Sequence, residues 1–406
     1  MRQITSFFCI LGLAWVLSSS QEQEKTERWY KGNTHTHTLW SDGNGAPELV
    51  ADWYVSHGYD FLVLSDHDVL SVGEKWFPIE ETGRLNDAQL ALIKSRYGEK
   101  WVVEREVEGK RMMRLKTLGE LRREYSKEEE FLFIQGEEIS ASYKGQAIHV
   151  NAINLVERIK PKKGGSLRET LQANINAVMA QAEKERKPML AHVNHPNFGW
   201  ALTVDDLASI EGERYFEVYN GHSGVRNYGD ETHPSTEEMW DQALVKRLVD
   251  LDLPPLFGLA TDDAHEYFSY GVGKTNPGRG WVMVKAKGLS GDAIVEAMRR
   301  GNFYSSSGVT LKDFDGRMGK FLSVSIDGKP GVTYTTQFIG SRMKDGKAIS
   351  IGEVLAESTE NPARYDFAGD ELYVRAKVIS SEDHPNPYAA GDKQCAWVQP
   401  VCRPLF

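Results

Sequence analysis

The sequence predicts an α/β domain of alternating strands and helices, followed by a small β-rich unit. Three observations point there. Short apolar runs alternate with amphipathic stretches as far as about residue 315. Histidines and acids recur at the ends of those runs. From about residue 320 the pattern changes to period-two alternation punctuated by Gly and Asp. Strands that alternate with helices argue for parallel pairing, because each helix carries the chain back across the sheet.

The chain has 406 residues, 40% hydrophobic and 26% charged. That suffices for one large domain plus a small companion, or for two to three average domains. The formal net charge is −10. A surface that coats nucleic acid is basic, so no bulk nucleic-acid binding is expected. A small anionic substrate needs a local positive centre, which bound metal ions supply.

Taken in order, Arg2 precedes an apolar run from Ile4 to Leu17, followed by Ser18, Ser19, Ser20 and the polar QEQEKTE. This is the layout of a secretory signal peptide over residues 1–20. The run is shorter than the ~20 residues that span a bilayer. A secreted or periplasmic protein with no membrane anchor after cleavage is expected; an uncleaved anchor is the alternative.

Strands are expected at 31–37, 60–65, 131–136, 147–154, 188–194, 215–219, 255–261 and 281–285. Helices are expected at 47–57, opened by Pro47 in its first turn, and at 167–186, 236–250 and 291–300. In the second of these, Leu167, Leu171, Ile175, Val178, Met179 and Ala182 form one apolar stripe. Together they make one body over residues 29–315. The charged stretch 69–130 interrupts it, either as a cover for an active site or as a solvated excursion. In the first case Trp76, Phe77 and Trp101 can supply aromatic walls. Residues 320–406 form the β-rich C-terminal domain. Its Cys395 and Cys402 flank AWVQPV; if that segment is extended the sulfurs are too far apart to bond, and a disulfide needs a turn near Pro400.

Histidine placement carries the chemistry. His35 and His37 end the first expected strand, and residues two apart face the same side. Asp42 follows in a loop. Asp66, His67 and Asp68 come directly after DFLVL, and Glu137 and Glu138 after FLFIQG. His149 lies in the next strand, His192 and His195 follow KPML, and Asp262, Asp263 and His265 follow LFGLA. A lone histidine on a strand is usually a satisfied core residue. Six or seven of the eleven at successive strand ends, interleaved with acids, are a metal-ligand pattern. Mixed His, Asp and Glu ligands suit zinc, manganese or iron rather than a thiolate site.

The ordered set H-x-H, D-H, G-x-E, strand histidine, H-P and D-x-H, running from His35 to His265, resembles the motifs of the PHP (polymerase and histidinol phosphatase) family. The resemblance implies a distorted seven-stranded (β/α) TIM-like barrel with two or three divalent ions, and a metal-bridging hydroxide at a trinuclear centre. It implies that His35, His37, Glu138 and Asp263 bind one metal. Glu138, His149 and His195 bind a second. His67, His265 and Asp42 bind the third, with Asp42 at a position that is often histidine in relatives. The G-x-E motif picks Glu138 over Glu137, and H-P picks His195 over His192. His192, Glu137 and Asp66 are then alternate ligands or orienting groups.

Weaker expectations attach to other residues. Asp68 and Asp262 can orient imidazoles or be solvated acids. Glu217 is expected to face inward, either towards the site or as a core carboxylate paired with a neighbour. His222 can donate a proton to a leaving group, or can be a loop histidine with no role. Arg279, Lys274 and Arg226 can anchor an anionic substrate, or can be exposed loop cations. The expected activity is phosphomonoester or phosphodiester hydrolysis. The alternatives are cleavage of a carbamate, ester or amide at the same centre, and a non-catalytic secreted binding protein on this scaffold. Basic pocket residues would favour phosphate; an apolar, aromatic pocket would favour carbonyl chemistry.

Overall fold

The protein is described from a computed structural model covering residues 26–125 and 131–404. The expected signal peptide lies outside these residues. Among the described residues no helix is long and apolar enough to cross a membrane.

The first part of the chain forms β1 (Arg28–Asn33), α1 (Pro47–Ser56) and β2 (Phe61–Leu64). The insertion then folds as β3 (Trp76–Pro78), α2 (Asp87–Tyr97), β4 (Glu104–Val107), β5 (Lys110–Arg114) and α3 (Leu118–Tyr125). The body resumes with β6 (Leu132–Tyr143), β7 (Gln146–Ile153), α4 (Leu167–Glu185), β8 (Leu190–Val193), α5 (Val204–Ala208) and β9 (Tyr215–Asn220). It ends with α6 (Thr236–Val245), β10 (Phe257–Thr261), β11 (Trp281–Ala286), α7 (Gly291–Arg299) and β12 (Phe303–Ser306). The C-terminal strands are β13 (Leu311–Arg317), β14 (Phe321–Ile326), β15 (Tyr334–Lys344), β16 (Lys347–Ala348), β17 (Glu353–Ser358), β18 (Ala363–Asp366), β19 (Glu371–Asp383) and β20 (Lys393–Cys402).

The helices start where local chemistry allows. Pro47 opens α1; Ser166, Ser235 and Ser290 cap α4, α6 and α7 by accepting a backbone N–H of the first turn. Glu238 completes a capping box at α6.

Fourteen strands form one mixed sheet in the order β10-β9-β8-β7-β6-β2-β1-β11-β12-β20-β19-β15-β16, with β17 also on β15. Where a distorted seven-stranded (β/α) barrel is expected, the α/β body has a mixed sheet with no closed ladder of strands among the described residues. Two features cause this. β6 and β7 are joined by the two-residue turn Lys144–Gly145, with φ of 49° and 84°, which pairs them antiparallel where a crossover helix would pair them parallel. β11 follows β10 without a helix and meets β1 antiparallel. The sheet still curls until the chain after β10 meets the chain after β1. There Asp263 N donates to the His35 carbonyl (3.0 Å) and His37 N to the Ala264 carbonyl (3.1 Å).

The C-terminal unit continues this sheet, because β20 pairs with β12. A second sheet, β13-β14-β18, accompanies it; Leu322 and Val324 of that sheet share one apolar core with Phe338, Val374, Ala376 and Val398 of the main one. Cys395 and Cys402 lie on the single strand β20 and are unpaired. The seven steps of strand from one to the other span roughly 23 Å, which excludes a disulfide.

In the insertion, Phe77, Ile79, Leu85, Leu90 and Ile93 pack on Leu39 and Trp40 of the loop after β1. Of the proposed aromatic walls, Phe77 is buried in this core, Trp101 stacks on Tyr97 at 4.8 Å, and Trp76 lies under the Arg105 guanidinium at 3.8 Å.

Candidate metal centre

The ends of β1, β2, β8 and β10 and the faces of β6 and β7 converge on Glu138, which is 1% exposed. Its Oε1 lies 2.9 Å from His149 Nδ1, 3.2 Å from His195 Nε2 and 3.4 Å from His35 Nε2. Its Oε2 lies 2.9 Å from His67 Nδ1 and 3.3 Å from His37 Nε2. Asp263 Oδ1 is 3.2 Å from Nε2 of both His35 and His37. Asp42 faces His265 Nε2 at 3.2 Å, His37 Nδ1 at 3.5 Å and His67 Nε2 at 3.5 Å. All nine ligands named from the motifs thus gather in one cluster.

This donor set fits cations. His35 Nε2, His37 Nε2 and Glu138 Oε2 are buried and have no hydrogen-bond partner. Buried polar atoms are normally satisfied; three unsatisfied ligand atoms converging on one point are satisfied by a divalent ion. Three sets of atoms lie close enough to share one: His35, His37 and Glu138; His67, Glu138 and His149; and His37, Asp42, His67 and His265.

The electrostatics agree. Burial opposes ionisation of Glu138, yet His149, His35 and His67 hold its carboxyl well below the usual range. Asp263 is likewise held well below it by His35 and His37 against burial. In return, and despite burial, Asp263, Glu217 and Glu138 raise His35 well above its ordinary value. Glu138 and Asp42 push His67 up to about 11, again against burial. Without metal, His35 and His67 therefore hold their protons to higher pH than a free histidine does. An ion must displace them, so metal affinity should rise as pH rises. Calorimetric titration at pH 7 in two buffers of different ionisation enthalpy should show net proton release per ion bound. No release would mean that the imidazoles are not the ligands.

A layer of polar groups orients the ligands. Glu217, fully buried, accepts from His35 Nδ1 (2.6 Å), Thr261 Oγ1 (2.9 Å), the His195 backbone N–H (2.7 Å) and Asn220 Nδ2 (2.8 Å). This places the His35 proton on Nδ1 and leaves the Nε2 lone pair for the site. Asn220 also donates to Asp263 Oδ2 (3.1 Å), and Asn194 donates to Glu138 Oε1 (2.8 Å). Two ligands are held in the left-handed region, His195 at φ 25° and Asp263 at φ 49°. That costs of order 1–3 kcal/mol each, and the bonds from His195 N to Glu217 and from Asp263 N to His35 O offset it. Glu217→Gln should weaken metal binding by about 10–100-fold, as removal of such orienting partners does elsewhere; unchanged affinity would show that Glu217 serves packing alone.

The other expected residues have different placements. His195 reaches Glu138, whereas His192 is fully buried behind it, 3.8 Å from Glu217, and burial lowers it to about 4. Glu137 is not an alternate ligand: successive strand residues face opposite ways, and it accepts the Ile159 N–H (2.5 Å) on the far face of β6. Asp66 is not one either: it accepts from Thr38 N (2.8 Å), Thr38 Oγ1 (2.9 Å) and Ser41 Oγ (2.6 Å). Asp68 accepts from Ser140 N (2.9 Å), and Asp262 from Tyr54 OH (2.8 Å) and Arg279 N (2.7 Å).

The expected substrate cations need correction. Arg279 is fully buried and its guanidinium donates to the carbonyls of Gly221 (2.8 Å), Gly271 (2.8 Å), Asn386 (3.2 Å) and Lys274, so it braces loops. Lys274 pairs with Glu266 (3.1 Å). Arg226 is exposed over the Trp200 ring at 4.9 Å. His222 stays near the centre, with its ring 5.2 Å from that of His265. Its Nδ1 accepts from Gly224 N (2.9 Å), which leaves its proton on Nε2. Asn194 stands in the sequence motif Asn194-His195-Pro196, whereas Asn220, Ser140 and Phe198 carry no sequence signal that marks them as part of the site. Ser140 Oγ lies 2.6 Å from His67 Nδ1. The Phe198 ring, 36% exposed, lies 5.2 Å from that of His195.

No family model and no curated protein matches the chain. Among solved structures, it is similar to a two-domain protein of Bacteroides vulgatus containing a predicted PHP-like metal-dependent phosphoesterase. Identity is 17%, the match covers 92% of this chain and 95% of the other, and the TM-score is 0.43. It is also similar to a protein of Bifidobacterium adolescentis whose metal-dependent phosphoesterase activity is itself a prediction, at 12% identity over 66% of this chain and 94% of the other, with a TM-score of 0.32.

Proposed function

We propose that this protein is a metal-dependent hydrolase of the PHP family and that it cleaves phosphate esters. The observation that carries this reading is the buried Glu138 carboxylate, ringed by five imidazoles within 2.9–3.4 Å, of which His35 and His37 point Nε2 atoms with no hydrogen-bond partner at it. His35, His37, Glu138 and Asp263 would hold one ion, Glu138, His149 and His195 a second, and Asp42, His67 and His265 a third. Ions bound there supply Lewis acidity, which lowers the pKa of water and offsets charge on a phosphoryl group. The protein's own groups do the rest. Glu217 fixes the His35 tautomer, and Asn194 and Asn220 hold the two central carboxylates. His222 offers an Nε2–H at the rim.

A second reading has one observation in its favour. Arg279 and Lys274 are already engaged, and the exposed Phe198 ring stands beside His195. An aromatic rim with few free cations suits an ester, amide or carbamate. Hydrolysis by the manganese- or zinc-loaded protein separates the two. p-Nitrophenyl phosphate and bis-p-nitrophenyl phosphate are compared with a p-nitrophenyl ester and an aryl carbamate, and His35→Ala and Asp263→Ala serve as controls. Metal-dependent release from the phosphates, lost in both variants, is expected. Release from the carbonyl substrates alone would overturn the phosphoesterase reading.

A further inference from the structure

Asp42 differs from the other ligands. Its side chain is 54% exposed, and it lies farther along its loop than any of them, nine residues past Asn33 at the end of β1. A carboxylate on an unrestrained loop is a weak ligand, because ordering it costs about 1–2 kcal/mol per residue fixed.

The insertion restrains this loop. Arg84 donates from Nη1 to the carbonyls of Ser41 (2.8 Å) and Gly43 (3.3 Å), the two neighbours of Asp42. Its guanidinium also lies over the Phe77 ring at 4.9 Å. Lys75 Nζ donates to the Trp40 carbonyl, and Trp40 Nε1 donates to the Lys116 carbonyl (2.8 Å). On the other side, Asp66 takes the Ser41 hydroxyl (2.6 Å). Gly43 permits the tight path, since a Cβ there would lie 2.6 Å from the His37 carbonyl oxygen. Arg84 is itself held in a turn closed by Glu80 N on the Leu85 carbonyl (2.8 Å), with Leu85 buried.

We propose that Arg84 is a positioning residue through which the insertion fixes Asp42 and so sets the affinity of the outer cation site, formed by Asp42, His67 and His265. This rests on the metal-centre reading above. Occupancy of the outer site is then separable from that of the inner ones, whose central carboxylates Glu138 and Asp263 are almost wholly buried.

The test is metal stoichiometry and affinity of the whole protein, by calorimetric titration with manganese and elemental analysis after gel filtration. Arg84→Met keeps the aliphatic stem against Phe77 and removes the donors; Arg84→Lys is read in its place if the methionine variant does not fold. Asp42→Ala is the benchmark for loss of the outer ligand itself. The expected result is that Arg84→Met weakens one ion by about 10–100-fold, matching the ion lost in Asp42→Ala, with the others unchanged. Retention of every ion at wild-type affinity, or loss of all of them together, would overturn the role of Arg84. Absence of metal binding by the unmodified protein would instead overturn the metal-centre reading.

Discussion

Glu138→Gln should abolish hydrolysis, lowering kcat/KM by about 10³-fold or more, since even single transition-state donors are worth 10²–10³. The reason is charge. Five imidazoles lie within 2.9–3.4 Å of one buried carboxylate, and the amide keeps the shape while removing the anion that offsets bound cations. Bound metal should fall with activity, because Glu138 belongs to two of the three ligand sets. The variant should still fold, since the Gln amide replaces Oε2, which has no hydrogen-bond partner. Elemental analysis and the hydrolysis assay check this together. A variant with full metal content and activity within tenfold of wild type would show that Glu138 is not the shared ligand.

Asp241→Ala should produce the largest loss of stability, about 3–5 kcal/mol. Asp241, on α6, accepts from Arg375 Nε (2.8 Å), Arg375 Nη2 (2.7 Å) and Tyr373 OH (2.7 Å), both partners being on β19. Arg375 is 1% exposed and lies over the Trp240 ring at 4.9 Å. Removing the carboxylate leaves that guanidinium buried, with the Glu237 carboxylate 3.6 Å from its Nη1. The pair need not stabilise the fold relative to apolar groups of the same size, so the double variant Asp241→Ala, Arg375→Met should recover part of the loss. Urea unfolding of both proteins measures this. A loss under about 1 kcal/mol in the single variant would show that the C-terminal sheet is not held to the body through Asp241.

Much of the centre is legible because strand geometry is regular. Glu137 and Glu138 face opposite ways on the period of two along β6, while His35 and His37, two apart just past the end of β1, both come within 3.2 Å of Asp263 Oδ1. His192 lies on β8, 3.8 Å from Glu217, whereas His195, two residues past the strand end with φ of 25°, lies 3.2 Å from Glu138. Other expectations failed where the outcome depends on distant partners. Arg279 follows a site strand as an anion anchor should, but its donors go to carbonyls as far away as Asn386. The Lys144–Gly145 turn was visible as residues, but not as the antiparallel hairpin that breaks the parallel pattern. Nor could the alternating strands after residue 320 reveal that β20 would pair with β12 and extend the same sheet.

Which residues can offer ligand atoms, and their order along the chain, is written in the sequence, as is the alternation that parts Glu137 from Glu138 on β6, because side-chain direction within a strand is a local property. Whether the sheet closes, which cations remain free, and that Arg84 grips the loop bearing Asp42 emerge only in the folded chain. Those outcomes turn on hydrogen bonds between groups tens to hundreds of residues apart, and the choice of partner is made by the packed chain as a whole.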